Sequence, residues 1–308
     1  MDHLNQSMVT FFIIKGISDV PELQIPIFLL VLLIYLLTLG GNMTILVLVY
    51  LDPHLHTPMY FFLVNLSILD MSSTTVTLHK IILTGLTGNR ATSYVSCMAQ
   101  MYFVGSFITD ELLVLTAMSY DRYVAICNPL RYTVIMNHRD SALLAIACWV
   151  LGLIEVIPYM VLIGGFSCYR SNVVNHFFCD VVPVIKLSCN DTSTLEILFI
   201  FEGAFLLTLS PFLLTFLSYI FIIVTIMKIH TRAGRHKAFY TCSSHLTIVI
   251  LLYTTLICQY LTPIKEDSLE YNKLLALLNM VAVPILNPLI YSLKNKDVKN
   301  ALKKKLHF

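Results

Sequence analysis

Residues 25–50, IPIFLLVLLIYLLTLGGNMTILVLVY, form a run of 26 positions without a charged side chain. About 20 apolar residues in a helix cross the roughly 30 Å hydrocarbon core of a bilayer, so this run is long enough to span a membrane. Six further windows have the same character, at residues 58–80, 95–120, 141–164, 196–228, 238–262 and 273–293. Seven crossings are therefore predicted, which places the two ends of the chain on opposite sides.

The composition of the whole chain supports this assignment. Of its 308 residues, 57% are hydrophobic and 12% are charged, whereas a soluble domain has about 25% charged residues. Within lipid, backbone polar groups are satisfied only in helices or closed barrels. Barrel strands would alternate polar and apolar residues over about 10 positions, and the windows do not. We predict an all-α membrane protein, a seven-helix bundle whose partners include lipid and exclude nucleic acid.

The positions of the basic residues predict the orientation. If the amino end is outside, 13 of the 20 Lys and Arg residues fall in inner loops or in the tail, and cytoplasmic loops are enriched in these residues. We predict an extracellular segment 1–24, a transmembrane domain 25–293 and a cytoplasmic tail 294–308 in a plasma-membrane protein. The tail places Val298, Ala301, Leu302 and Leu306 on one side and lysines on most of the rest, as in an amphipathic helix on the inner leaflet. A frayed basic tail is the alternative.

The outer segments contain the features expected of an oxidising, glycosylating compartment. Four of the eight cysteines lie outside, at Cys97, Cys168, Cys179 and Cys189, and four cysteines allow three pairings. Three of them lie in a loop at about 165–195. A loop longer than about 15 residues without regular structure of its own is usually functional, so we predict a lid over the bundle. Asn5 and Asn190 begin acceptor sequences for glycosylation.

Two acids are predicted inside the membrane, where ionisable groups are costly and tend to mark function. Asp70 lies in the second window and Glu111 in the third. With Asn287 of the seventh window they would hold a sodium ion or share a proton. A hydrogen-bonded pair that only stiffens the bundle is an equal alternative. Pro211, Pro284 and Pro288 interrupt helix hydrogen bonds in the fifth and seventh windows, either as hinges or as packing irregularities.

Asp121 and Arg122 stand at the inner end of the third window. A guanidinium there can pair with its neighbour in one arrangement and with another acceptor in a second, which describes a two-state switch. As a dipeptide, however, Asp-Arg also fits a solvated helix end.

Seven motifs in a fixed order decide between these interpretations. They are Gly41-Asn42, PMYFFL at 58–63, LSILD at 66–70, MSYDRYVAIC at 118–127, Ser218-Tyr219, KAFYTCSSH at 237–245 and PILNPLIY at 284–291. In these motifs, and in NHFFCD at 175–180, nearly the whole chain resembles the rhodopsin-like G-protein-coupled receptors and, within them, the vertebrate olfactory receptors of the class II (tetrapod) type.

The resemblance implies a function and a set of roles. It implies an odorant receptor that activates a stimulatory olfactory-type G protein and raises cyclic AMP, with disulfides Cys97–Cys179 and Cys168–Cys189. Asp70, Glu111 and Asn287 would form an ion or water site, with Na⁺ in the inactive state and no other cofactor. The activation switch and G-protein coupling would involve Asp121, Arg122, Tyr123, Tyr219, Asn287, Pro288 and Tyr291.

The ligand pocket is expected to be apolar, concave and supplied with a few orienting polar groups. Offsets from the family's motifs place it on four helices, with residues three or four positions apart on one face. Each such stripe alone is more often helix packing than ligand contact, so only the whole set argues for a pocket. The predicted ligand-binding residues are Met101, Val104, Gly105, Ile108, Thr109, Gly203, Ala204, Leu207, Tyr253, Leu256, Tyr260, Leu277 and Met280.

Several side chains depart from the usual pattern of the resembled family. Asp110, Glu155 and Glu202 add acids to the third, fourth and fifth windows, and we expect some of them to orient a hydrogen-bonding or basic odorant. His176, Cys179 and Asp180 would make a soft metal site. Because a disulfide would consume Cys179, we predict that no metal binds there.

Other functional classes lack their sequence signatures. An intramembrane enzyme would need a nucleophile with a base or a set of metal ligands, and no motif of that kind is found. A transporter tends to show repeated halves, and no internal repeat is visible. We therefore predict that the chain is not an enzyme. A rhodopsin-like receptor for another small ligand, and less so a transporter, are the alternatives.

Overall fold

The computed structural model of the chain describes residues 9–198, 201, 209–261 and 268–306. Within these residues six helices are long and apolar enough to cross a membrane, and a bent pair supplies a seventh crossing. We number them as the first to seventh spans in chain order. They are Pro21–Leu51, Pro58–Thr87, Tyr94–Cys127, His138–Gly164, Ser210–Met227, Arg232–Leu261 and Ser268–Lys294. The prediction of an all-α, multi-pass bundle is confirmed.

Several helices extend beyond the apolar windows that predicted them. The second span ends at Thr87 instead of residue 80, and the third ends at Cys127 instead of residue 120. Hydropathy detects only the part of a helix inside lipid, whereas the ends are set by capping. Gly88 closes the second span at φ 71°, and its N–H donates to the Thr84 carbonyl, a left-handed cap that favours glycine. The Ser93 hydroxyl accepts from Ser96 N–H and begins the third span.

Three spans are irregular. The fourth breaks at Val156, between His138–Glu155 and Ile157–Gly164, because Pro158 lacks the N–H that would continue the helix. The sixth bends by 41° between Arg232–Tyr240 and His245–Cys258. The seventh contains a π-helical turn at Leu278–Ala282 directly before Val283–Lys294, which carries Pro284 and Pro288. Pro211 stands in the first turn of the described fifth helix.

A small sheet lies at the end of the bundle that carries the long loop; we call this end outer and the opposite end inner. Strand β1 (Phe11–Ile14) pairs antiparallel with β2 (Ala91–Ser93) and parallel with β3 (Val173–Val174), in the order β2-β1-β3. The long loop also contains the helix Val181–Leu187, and Ser193–Leu198 follows at its end. The expectation of a loop without regular structure was therefore wrong. Part of the loop is held by strand pairing with the amino-terminal segment. Because each paired strand is so short, it produces no recognisable alternation of polar and apolar residues in the sequence.

The core lies between the second, third, sixth and seventh spans, where Leu66, Leu115, Leu252 and Val283 pack in one cluster. The first span joins this core near its carboxyl-terminal end, at Ile45, Leu48 and Val49, and nearer its start it exposes a run of leucines, which is the surface that lipid requires. The exposed leucines of that span are Leu29, Leu30, Leu33, Leu36 and Leu37.

The carboxyl-terminal helix runs from Lys296 to Leu306. Val298 and Ala301 are buried in the main core, whereas Lys303, Lys304 and Lys305 are exposed. The Tyr60 hydroxyl at the start of the second span donates to Asn295 Oδ1 at 3.1 Å. These contacts fix the helix against the inner end of the bundle, so the frayed tail is not what the structure shows.

Candidate functional site

The Asp121–Arg122 pair lies in the last two turns of the third span. Asp121 is 0% exposed and the side chain of Arg122 is 15% exposed. Arg122 Nη2 lies 3.5 Å from Asp121 Oδ2, and the Tyr132 hydroxyl donates to Asp121 Oδ1 at 2.8 Å. The carboxylate is thus buried between a cation and a hydroxyl donor, which differs from a solvated helix end.

Beside this pair, Tyr219 of the fifth span bonds through its hydroxyl to His245 Nδ1 of the sixth. Both side chains are buried. Tyr123 packs on the cluster that contains Tyr219 and Cys242. The motif at 237–245 included His245, but sequence reasoning assigned it no role. The side chain of Tyr291 lies outside the described residues.

Asp70 and Asn287 join the second and seventh spans near mid-bundle. Asn287 Nδ2 donates to both carboxylate oxygens of Asp70 at 3.0 Å. Glu111 is close enough to interact with both side chains. Asn287 Oδ1 and Glu111 Oε1 are buried without a hydrogen-bond partner among the described residues. Two unpartnered oxygens beside a carboxylate are a donor set that suits a small hard cation.

Four of the predicted pocket residues pack together in the outer half of the bundle. Val104 and Met280 are buried in one cluster, and Ile108 and Leu277 pack against it. Phe177 and Phe178 of the long loop complete this cluster. The sequence analysis missed both phenylalanines, although the NHFFCD motif contains them. We call these six residues the outer pocket cluster.

The other predicted pocket residues have different neighbours. Tyr253 and Leu256 are buried in the main core, where Ile108 also packs, and Met101 lies in a separate cluster with the Cys97–Cys179 bridge. A Cβ on Gly105 would meet Val156 of the fourth span at 3.2 Å. Gly203, Ala204 and Leu207 lie outside the described residues, as does the side chain of Tyr260.

Asp110 of the third span contacts the fourth span, and Glu155 of the fourth span contacts the third. The Thr109 hydroxyl donates to Glu155 Oε2 at 2.9 Å. Asp110 packs against Gly152, where a Cβ would lie 2.0 Å from Asp110 Oδ1. Both Asp110 oxygens are buried without a hydrogen-bond partner among the described residues. Glu202 lies outside those residues, and the expectation that an acid orients the odorant stays a prediction.

Two disulfides hold the long loop, Cys97–Cys179 and Cys168–Cys189. They are the pairs that the resemblance implies. The Cys179 N–H also donates to Gln100 Oε1 of the third span at 2.9 Å. On the seventh span, Lys273 Nζ donates to Asn175 Oδ1 at 3.2 Å. The loop is therefore attached to two spans beside the outer pocket cluster.

Asn190 accepts hydrogen bonds from the N–H groups of Ser167 and Cys168. Glycosylation at Asn190 stays a prediction, and Asn5 lies outside the described residues.

His176 and Asp180 belong to the same loop. His176 is buried against Phe177 and Phe178, with ring centroids 4.6 Å apart in both contacts, and its Nε2 is 4.0 Å from Asp180 Oδ2. Burial, with Lys273 nearby, lowers the pKa of His176 to about 3. Burial raises the pKa of Asp180 to about 6, although the Val181 N–H donates to it. Because Cys179 is in a disulfide, the third proposed metal ligand is consumed.

The pKa shifts of His176 and Asp180 have opposite effects on the stability of the folded chain when the pH is lowered. The unfolded chain protonates His176 below about pH 6.5 whereas the folded chain does not, so this residue costs about 2 kcal/mol of stability at about pH 5. Asp180 binds its proton more tightly when folded, so its contribution to stability rises as pH falls through about 6.

His176→Phe is therefore expected to raise the thermal midpoint relative to wild type when the pH is lowered from about 7 to about 5. Differential scanning fluorimetry of the full chain in nanodiscs measures this difference. His79→Phe, at an exposed position of the second span, is the matched control and should follow wild type. Parallel pH curves for wild type and His176→Phe would contradict the assignment.

Comparison with known proteins identifies the family. The olfactory receptor family model matches residues 31–307. Olfactory receptor 6C3 of Homo sapiens is 43% identical over 304 residues, 99% of this chain and 97% of the relative. Olfactory receptor 5AR1 of Mus musculus is 42% identical over 304 residues, 99% of this chain and 98% of the relative. The chain therefore belongs to the olfactory receptor family, a family of G-protein-coupled receptors and not of enzymes.

Proposed function

We propose that the chain binds a small volatile molecule in the outer half of its bundle and activates a stimulatory olfactory-type G protein, which raises cyclic AMP. The observation that carries this proposal is the separation of two built regions along the third span. The outer pocket cluster includes Val104 and Ile108, whereas the Asp121–Arg122 pair lies more than 10 residues further along the same helix. A rigid helix with a pocket near one end and a buried charge pair near the other can couple the two.

The outer pocket cluster has the chemistry that a volatile ligand requires. Its side chains are apolar, and polar groups stand beside it at Ser73, whose hydroxyl lies 3.7 Å from Met280 Sδ, and at the Thr109–Glu155 pair. Apolar contacts provide the affinity for such a ligand, and a few hydrogen-bonding groups fix its orientation. The ligand can shift the receptor only by its differential affinity for two states.

At the inner end, activation exchanges the partners of Arg122. In the described arrangement the guanidinium pairs with Asp121, which also accepts from Tyr132. Outward movement of the sixth span would break the Tyr219–His245 contact and open a cleft for the G protein. Arg122 would then face the inserted partner, with Tyr219 and Tyr291 reorganised around it. The bend in the sixth span, between Tyr240 and His245, provides a place for this movement.

Asp70, Glu111 and Asn287 would hold Na⁺ in the inactive state. Their buried unpartnered oxygens fit such an ion. Such an ion would supply a positive charge that offsets the negative charge of Asp70 and Glu111. The residues themselves join the second, third and seventh spans, so a change in their spacing is coupled to a change in the bundle.

The orientation proposed for the chain places the amino end outside and the tail in the cytoplasm. The disulfides and the sheet lie at one end of the bundle, and the exposed lysines at 303–305 lie at the other. Disulfides persist in oxidising compartments, whereas basic residues are enriched in cytoplasmic segments.

A cyclic-AMP reporter line challenged with a chemically broad odorant panel tests the function. At least one odorant is expected to raise cyclic AMP, and only when the stimulatory olfactory-type G protein is co-expressed. A response through a different G protein would support a receptor of another coupling class. Odorant-driven solute flux without any G protein would support a transporter.

Val104→Phe is expected to reduce the response to the odorants found in that panel by at least about tenfold, because a larger side chain fills the outer pocket cluster. Val161→Phe is the matched control, since Val161 is exposed on the fourth span. Dose–response curves are compared at equal surface display. An unchanged response in Val104→Phe would place the ligand elsewhere.

A further inference from the structure

A cleft lies between the amino-terminal segment and the outer ends of the first and second spans. It is partly open to solvent. Its walls combine cationic and apolar side chains, and Phe177 and Ile81 also pack in or against the cluster that contains the outer pocket residues. The cleft therefore adjoins the region proposed for the odorant, but its charged wall of Lys15, Lys80 and Arg90 lies outside that region.

Lys80 is the buried cation of this cleft. Lys80 is 5% exposed, and its Nζ donates to the carbonyls of Asn89 at 3.2 Å and Ala91 at 2.5 Å. An ammonium has three donors, so one remains after these two contacts. Among the described residues, no carboxylate lies within ion-pair distance of Nζ. A buried charge without a counter-charge is costly, and an anion would offset that cost.

The rim of the cleft adds further positive charge. Lys15 and Arg90 line it, and both pair with Asp19, at 3.4 Å and 3.2 Å. Asp19 is 57% exposed, so its charge is largely hydrated. Three cations face one carboxylate, which leaves the cleft with an excess of positive charge. Such a surface attracts anions from the outer solution.

The inner wall of the cleft is apolar. Ile27 and Phe28 of the first span face Ile81 of the second across it. Gly85 allows this arrangement, because a Cβ there would lie 2.4 Å from Phe28 Cδ2. The ring thus lies directly on the second span and forms a flat apolar surface beside Lys80.

We infer that this cleft binds a monocarboxylate with a short apolar chain. The carboxylate lies on Lys80 and takes its remaining donor, and the chain packs against Ile27, Phe28 and Ile81. A neutral molecule of the same shape leaves the ammonium without a counter-charge, and a small inorganic anion leaves the apolar wall uncovered. The site therefore selects for both parts of the ligand.

Binding of hexanoate to the full chain in phosphatidylcholine nanodiscs tests this inference by saturation-transfer NMR. Hexanoate is expected to bind saturably, and methyl hexanoate at least about tenfold more weakly, because it lacks the charge. Inorganic phosphate should not displace hexanoate at equal concentration. Equal binding of acid and ester, or displacement by phosphate, would overturn the inference.

Variants locate the site. Lys80→Met should weaken hexanoate binding by at least about tenfold, whereas Lys80→Arg should retain it within a few fold. Arg170→Met is the matched control, because Arg170 is exposed on the long loop and does not line the cleft. Ile27→Trp fills the apolar wall without changing any charge, and it should weaken binding too even if Lys80→Met does not fold.

Unchanged affinity in Ile27→Trp, or in a folded Lys80→Met, would overturn the inference. The measurement needs no G protein and no signalling, so its failure and the failure of the proposed receptor function are distinguishable.

Discussion

Arg122→Gln is expected to abolish the odorant-driven rise in cyclic AMP while the protein still reaches the cell surface. The guanidinium lies 3.5 Å from Asp121 Oδ2, and in the variant Tyr132 continues to donate to the other oxygen of that carboxylate. In the inactive arrangement Asp121 therefore keeps its hydrogen bond from Tyr132 and loses its ion pair with Arg122. The active arrangement loses the cation that faces the G protein, so the maximal response should fall by at least about tenfold.

The matched control is Arg131→Gln, because Arg131 is an exposed arginine in the following inner turn. It should respond within a few fold of wild type. Both variants are compared at equal surface staining in the reporter line. A full response from a well-displayed Arg122→Gln would contradict the proposed switch.

Cys97→Ser is expected to destabilise the folded chain more than Cys168→Ser. The Cys97–Cys179 bridge joins residues 82 apart in sequence and the Cys168–Cys189 bridge joins residues 21 apart. Chain entropy alone gives about 4.5 kcal/mol for the first and about 3 kcal/mol for the second. Cys97 also lies in an apolar cluster with Met101 and Tyr159, where burying a serine hydroxyl adds a desolvation cost.

The comparison is made by thermal unfolding in nanodiscs and by surface display. The membrane already restricts the unfolded chain, so the prediction concerns the order of the two variants and not their absolute free energies. Cys258→Ser removes a cysteine that forms no disulfide and serves as the control. A larger loss in Cys168→Ser than in Cys97→Ser would contradict the argument.

The spans were predictable from the sequence because a helix in lipid has a simple compositional requirement. A helix that faces hydrocarbon needs a long uncharged run, and the first span shows one without interruption. The break at Val156 was not predicted, since Pro158 lies inside an otherwise continuous apolar window. Hydropathy averages over such a residue, whereas backbone hydrogen bonding does not.

The candidate site was predictable only in part, and for different reasons in different places. Asp70 and Asn287 were expected to meet because intramembrane polar groups must find partners, and they do. Phe177 and Phe178 were missed because their contact with the third and seventh spans depends on a disulfide and on pairing between strands far apart in sequence. The contact between Asp110 and Gly152 depends on helix rotation, which one sequence does not specify.

The comparison with relatives established the family, whereas the ligand and the coupling are proposals. These proposals depend on the arrangement of the outer pocket cluster and of Arg122.

Asp110, Glu155 and Glu202 provide a chemical test of the ligand. Replacing each with its amide should change the response to at least one hydrogen-bonding or basic odorant, and three unchanged odorant profiles would refute that role.

The most direct test of the central claim is guanine-nucleotide exchange on a purified stimulatory olfactory-type G protein. The purified chain in nanodiscs is mixed with that G protein and with an odorant found in the reporter panel. The account predicts that the odorant accelerates exchange with the wild-type chain and not with Arg122→Gln. Exchange that is unaffected by the odorant, or that is equally accelerated by Arg122→Gln, would contradict it.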